Sequence, residues 1–300
     1  MPASPTPSTP APRSKAGVFA SRLLSTALLW GVIASALLWG PPWIILTVAV
    51  LFGAGTIAEY AVMALPKDRP RQVLLTLGSI LFLAVLSWLL LRPEEGAHSE
   101  WVARFSLGGS ALMIFVGFLP SLLRTPSEAE FTQLVRFAFG FFWITFLYAF
   151  ILRLYAMDGP EGGGIVRLLF LIAVAKFTDM GAYLTGTLIG KNKMIPHVSP
   201  GKTWEGFGGA LVFAIGIAVG LVFLFPEKLA PLTPATGALI GLVIALLAVV
   251  GDLAESVVKR VCGVKDSGHW LPGIGGILDL VDSLLFAAPA LWLYLLWLSA

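Results

Sequence analysis

An all-α, polytopic integral membrane protein is the fold class that three features of this 300-residue sequence predict. Hydrophobic residues make up 57% of the chain and charged residues only 12%, whereas soluble domains carry roughly 25% charged residues. About nine apolar stretches approach the length of ~20 residues that a helix needs to cross a bilayer core. Prolines punctuate the gaps, at Pro41-Pro42, Pro66, Pro93, Pro120, Pro160, Pro196, Pro226 and Pro272, at or between span ends where a missing backbone donor costs least.

Taken in order, the chain opens with residues 1–21. Their first fourteen positions are dominated by Pro, Ser, Thr and Ala, a composition that buries little and predicts a disordered cytoplasmic tail. The expected spans follow at 22–39, 42–65, 73–91, 105–123, 134–155, 165–190, 206–225, 236–258 and 277–298. The first five, within 22–160, form an N-terminal transmembrane region without a motif. The rest, within 161–300, hold the charged stretches with motif-like order and are the expected C-terminal transmembrane catalytic region.

Orientation follows from the cations. Of twenty Lys and Arg residues, Arg92, Arg104, Arg153, Arg167 and Lys228 fall on one side, Lys176 lies inside a span, and the other fourteen share the N-terminal side. Cytoplasmic loops carry such an excess, so the N-terminus and the loops after spans six and eight are expected in the cytoplasm. The charged loops would then face the cytoplasm, where nucleotides are. A net charge of +3 is spread between spans rather than gathered with aromatics on one face, which argues against nucleic acid as a partner. The single Cys262 excludes an intrachain disulfide framework.

Residues 251–283, GDLAESVVKRVCGVKDSGHWLPGIGGILDLVDS, gather five acidic and three basic side chains in an otherwise apolar chain. Helical spacing puts Asp252, Glu255 or Ser256, and Lys259 on one face, and Asp279 and Asp282 on one face of the next helix. Several carboxylates and no soft ligand suit a hard ion such as Mg²⁺. Lys259, Arg260 and Lys265 would grip phosphates bound to it. Within span six, Lys176 and Asp179 either neutralise each other at i, i+3 or face a functional cavity, since ionisable groups at membrane depth are costly. The loop that follows places Lys191, Lys193, Lys202 and Thr203 among glycines, which suits an anion. Gly201-Lys202-Thr203 is not the end of a P-loop, because position 196, where the first glycine is required, is Pro. A secondary transporter would also bury charge, but it favours related halves, and no internal repeat is visible.

Ser256, Lys259-Arg260, Lys265-Asp266, Pro272-Gly273, Gly275-Gly276, Asp279 and Asp282 stand in an order that resembles the signature of the phosphatidate cytidylyltransferases (CDP-diacylglycerol synthases). That signature reads Ser, two residues, Lys-Arg, four residues, Lys-Asp, then Pro-Gly-His-Gly-Gly and Asp-Arg-x-Asp. Asp179, Ala182-Tyr183, Gly186, Gly190-Lys191 and the run Ser199-Pro200-Gly201-Lys202-Thr203-Trp204-Glu205-Gly206 resemble the family's second conserved region. The resemblance implies transfer of a cytidylyl group from CTP to phosphatidic acid, giving CDP-diacylglycerol and pyrophosphate for phospholipid synthesis. Because such a transfer needs charge neutralisation, Asp252, Asp279 and Asp282 would hold Mg²⁺, with Ser256, Lys259 and Arg260 completing the catalytic set. Asp179, Tyr183, Lys191, Ser199, Lys202, Thr203, Glu205, Lys265, Asp266, Gly275 and Gly276 would contact substrate. Membrane lipids are further partners, and a homodimer is compatible with the reading. Three positions depart from the family pattern: Gly201 replaces a Lys, Ile274 a His and Leu280 an Arg. They keep open a catalytically weakened paralogue or an enzyme for another lipid phosphate.

Overall fold

The computed structural model describes residues 39–92, 97–157, 162–268 and 275–299, with isolated positions 31 and 35. The expected tail at 1–21 and nearly all of the expected span 22–39 lie outside the described residues. Eight long helices and one β-hairpin make up the rest: α1 (Pro42–Ala64), α2 (Arg69–Leu90), α3 (Ala97–Leu122), α4 (Glu128–Ala156), α5 (Gly163–Ile189), the hairpin strands β1 (Lys193–Ile195) and β2 (Ser199–Thr203), α6 (Trp204–Leu224), α7 (Pro234–Val261) and α8 (Leu278–Ser299).

Among the described residues, seven of these helices are long and apolar enough to cross a membrane, which does not confirm the expected nine. The eighth, α5, is long enough but carries Arg167, Lys176 and Asp179 and is not among the seven. Many large apolar side chains lie on the outside, Leu107, Phe115, Leu123 and Trp297 among them. In water such a surface would be unfavourable, whereas facing lipid it is what a spanning helix requires.

Local chemistry explains the helix ends. Asp68 caps α2 by accepting from the Arg71 backbone N–H, Ser127 caps α4 in the same way from Glu130, and Thr233 with Thr236 forms a reciprocal cap on α7 ahead of Pro234. Inside α4, Phe141–Phe146 widens into a π-helical stretch opposite the Tyr60 ring, which occupies the space beside Gly140.

The helices alternate in direction, so the ends of α1, α3, α5 and α7 lie with the starts of α2, α4, α6 and α8 at one end of the bundle. A buried ion cluster sits there in the N-terminal half. Arg71, 0% exposed, pairs with Asp68 at 2.7 Å and Glu130 at 2.6 Å and donates to the Gly117 carbonyl, while Arg124 pairs with Asp68 at 2.7 Å and Glu130 at 3.2 Å. Burial opposes ionisation of Asp68, but hydrogen bonds from Arg124 and Arg71 outweigh it and hold the carboxyl below its ordinary range. The same bonds, to Asp68 and then Glu130, hold the Arg124 guanidinium above its own.

Candidate active site

Small residues let the site-bearing helices meet. A Cβ on Gly181 would lie 2.8 Å from the Gly209 carbonyl oxygen and one on Gly206 2.7 Å from that of Ala182, so α5 and α6 touch backbone to backbone. Gly251 does the same for α7 against the carbonyl of Asp282 on α8. That contact sets Asp252 beside Asp282.

The hairpin crosses the end of this packed group, with Lys193 opposite Thr203 and Ile195 opposite Ser199. Its base is fixed by Glu205, which accepts from the Asn192 side-chain amide at 2.7 Å and from its backbone N–H at 3.2 Å. Thr203 caps α6 through the Gly206 N–H at 3.1 Å. Between hairpin and helices lies a cavity of about 490 Å³, lined by Asp179, Tyr183, Ser199, Gly201, Lys202, Thr203 and Asp252 among others. Lys202 reaches across it to Asp252, 2.9 Å away, and towards the Val249 carbonyl. Lys176 lies 3.5 Å from Asp179, as the i, i+3 spacing allows, but it also donates to Ser283 on α8 at 3.2 Å. The pair is therefore tied to the neighbouring helix as well as to itself.

Next to the cavity, Asp252, Glu255 and Asp282 each offer one carboxylate oxygen, and the three atoms lie within 4.8 Å of one another. Glu255 is 1% and Asp282 5% exposed, and Glu255 Oε1 is buried without a hydrogen-bond partner. Converging anionic oxygens with one orphaned atom are the donor set that a hard cation such as Mg²⁺ accepts. The grouping differs from the expected Asp252, Asp279 and Asp282. Asp279 instead accepts from Lys259 at 2.7 Å, from the Gly276 N–H at 2.8 Å and from Ser267 at 3.0 Å. Lys259 bridges it to Glu255, also 2.7 Å away. The spacing of Glu255, three after Asp252 and four before Lys259, was the available signal, and sequence left it level with Ser256.

Ser256 is half-buried on α7, whereas Arg260, Lys191, Lys265 and Asp266 are exposed and none of them lines the cavity. Gly275 has φ +115, a region where glycine is strongly favoured, and Gly276 supplies the N–H to Asp279. Leu280 packs against the hydrophobic core. His269, Pro272, Gly273 and Ile274 lie outside the described residues. Burial pushes the Cys262 thiol up, which leaves it a poor nucleophile.

With this geometry in place, comparison with known proteins is decisive. The profile of the cytidylyltransferase family matches residues 20–298. The chain belongs to the cytidylyltransferase family. Among its relatives, the phosphatidate cytidylyltransferase of Bacillus subtilis (strain 168) is 32% identical over 253 residues, covering 82% of this chain and 87% of that protein. Phosphatidate cytidylyltransferase of Mycobacterium bovis is 43% identical over 136 residues, 45% of this chain and 43% of its own length. That of Brucella suis biovar 1 is 43% identical over 148 residues, 48% of this chain and 52% of its own length. Against these last two, the match spans about half of each relative or less. The cytidylyltransferase family match nevertheless runs through both halves of the chain, so the helices without a motif belong to the family unit as the acidic site does.

Proposed function

We propose that the protein transfers a cytidylyl group from CTP to phosphatidic acid, releasing pyrophosphate and leaving CDP-diacylglycerol in the membrane. The observation that carries this reading is the carboxylate group of Asp252, Glu255 and Asp282 beside a cavity that Lys202 enters from the hairpin. The names and sequences of the relatives supply the substrate class.

The reaction needs no protein nucleophile. A phosphate oxygen of phosphatidic acid attacks the α-phosphorus of CTP, a new P–O bond forms, and the bond to the bridging oxygen of the β-phosphate breaks, its electrons leaving with pyrophosphate. Both partners are anions, so the protein's task is to bring them together and to offset their charge. Asp252, Glu255 and Asp282 would hold Mg²⁺, which when bound supplies charge neutralisation and a template for the phosphates. Lys202 is placed to exchange its contact with Asp252 for a phosphate oxygen. Lys259, held between Glu255 and Asp279, keeps the carboxylates on α7 and α8 in register. Ser199, Thr203 and the open backbone at Gly201 offer further contacts from the hairpin. The lipid's acyl chains stay among the spans while its headgroup enters from the side. The excess of cations at this end of the bundle supports a cytoplasmic site in a bacterial-type inner (plasma) membrane.

A weakened activity, or one towards another lipid phosphate, is favoured by one observation: Leu280, in place of the usual Arg, packs into the apolar core and offers no charge to the site. Purified protein given labelled CTP with phosphatidic acid, and in parallel with other lipid phosphates, tests both. Labelled CDP-diacylglycerol that depends on Mg²⁺ is the expected product. No labelled lipid from any acceptor would overturn the reading.

A further inference from the structure

Glu59 sits in the C-terminal half of α1, in the half of the molecule that carries no recognised motif, and is only 3% exposed. Its Oε2 accepts from the backbone N–H of Leu278 at 2.9 Å and from the Ser267 hydroxyl at 3.4 Å. Leu278 is the first residue of α8, the helix that bears Asp279 and Asp282. The first N–H groups of a helix have no partner within it, and an anion placed there satisfies both the donor and the helix dipole. Asp279 reaches back to the Gly276 N–H from within the first turn. One carboxylate from α1 and one from α8 therefore fix the start of this helix together, and Ser267, which donates to both, ties the loop after α7 to the pair.

The fit around Glu59 is close. A Cβ on Gly268 would collide with Oε1, and one on Gly276 would collide with Oε2. Backbone alone can approach the carboxylate at these two points, which gives a local reason for glycine in a loop that also feeds the site. Oε1 itself is buried without a hydrogen-bond partner. Burying that oxygen without a partner is unfavourable by itself, so what Glu59 contributes here is the acceptor it presents to the Leu278 N–H and the Ser267 hydroxyl.

We infer that Glu59 is a positioning residue for the acidic site: it ties Ser267 and the start of α8 at Leu278 to α1 and so sets where Asp279 and Asp282 stand relative to Asp252 and Glu255. The inference rests on the proposed reaction for its kinetic consequence but not for its structural one. Glu59 is buried and does not line the cavity, so turnover should fall while apparent substrate affinity stays.

Two measurements on the full-length protein in detergent or nanodiscs test this. In hydrogen–deuterium exchange, Glu59→Ala should speed exchange at 276–280 by about tenfold or more, while Glu59→Gln, which keeps an acceptor for the Leu278 N–H, should leave it close to unmodified protein. In CDP-diacylglycerol synthesis, Glu59→Ala should lower kcat by about 10- to 100-fold with KM for CTP within about twofold, and Glu59→Gln should recover most of the loss. Ser267→Ala, a milder change, should give a smaller drop of the same kind. Unchanged exchange in Glu59→Ala would overturn the inference whatever the activity. So would an active unmodified protein whose Glu59→Ala variant keeps full kcat, whether or not its KM rises. An unmodified protein without synthesis would count against the proposed reaction alone, and the exchange data would still decide the role of Glu59.

Discussion

Two buried charge clusters lie at the same end of the bundle and differ in how completely they are satisfied. In the N-terminal half, Asp68 and Glu130 face Arg71 and Arg124, two charges of each sign, joined by bidentate or bridging contacts of 2.6 to 3.2 Å. In the C-terminal half, five carboxylates, Asp179, Asp252, Glu255, Asp279 and Asp282, meet three ammonium groups, Lys176, Lys202 and Lys259. The first cluster is closed upon itself. The second keeps an excess of negative charge, an orphaned Glu255 oxygen and a cavity beside it. A neutral, fully paired cluster has nothing left to offer a ligand, whereas an under-neutralised one can take up a cation. The contrast separates a clamp between helices from a site.

The largest effects are expected where the deficit lies. Asp252→Asn, Glu255→Gln and Asp282→Asn should each lower kcat by on the order of 10² to 10³ and raise the Mg²⁺ concentration needed for half-maximal rate, with the protein still inserting and purifying. Doubles should lose little more than singles, because the three act as one unit. Asp279→Asn should also slow turnover, through release of Lys259, but should leave the Mg²⁺ requirement near that of unmodified protein. Metal titrations of the four variants decide the ligand set: a shifted Mg²⁺ requirement in Asp279→Asn with none in Glu255→Gln would restore the grouping Asp252, Asp279 and Asp282.

Removing one partner from the closed cluster should act on stability instead. Arg71→Met leaves Asp68 and Glu130 short of a cation inside the protein and should cost about 3–5 kcal/mol, read as a lower Tm in detergent, with turnover per folded molecule unchanged. Acid should have a related effect. The Asp68 carboxyl is held below its unfolded value, so its contribution is complete above the ordinary carboxylate range and disappears as pH falls through the lowered folded-state value. Asp68→Asn should therefore lower Tm at neutral pH and narrow its difference from unmodified protein in acid. A Tm difference that widens as pH falls would reverse the assignment.

Much of this contrast was legible in the sequence, and the limits have physical causes. Hydropathy and proline placement located most of the described helices because a bilayer sets helix length, while α5, which carries three ionisable residues, is not among the seven strongly apolar ones. Motif order singled out Asp179, Ser199, Lys202 and Thr203, and helical spacing singled out Asp252; all five line one cavity in the structure. Other contacts could not be read from spacing because they join distant elements. Glu59 meets Ser267 and Leu278 about two hundred residues along the chain. Glu205 looks like a substrate contact within a conserved-type run, but its carboxylate holds Asn192 at the foot of the hairpin. Arg71 and Arg124 read as topology signals, since a count of cations cannot show that Asp68 and Glu130 enclose them.

The smallest effect expected concerns Gly201, and it sharpens the comparison from the side of the deficit. This residue lines the cavity, and a Cβ built on it meets nothing within 4 Å, so a longer side chain can enter without displacing a neighbour. Lys202 beside it already pairs with Asp252 and must give up that contact to serve a phosphate. A second ammonium group could remain with Asp252 while Lys202 turns to the nucleotide, or could meet the nucleotide directly. The position is open to solvent, which limits such a charge to about 1 kcal/mol or less. Gly201→Lys should therefore lower KM for CTP by about two- to fivefold at low ionic strength and leave kcat nearly unchanged. The gain should shrink as salt is added, because an exposed charge is screened over a Debye length of about 10 Å at 0.1 M. A salt-independent gain would point to a direct buried contact instead. A raised KM would mean that the excess of carboxylates is already balanced when nucleotide binds, and that the cavity, unlike the acidic group beside it, has no room for another cation.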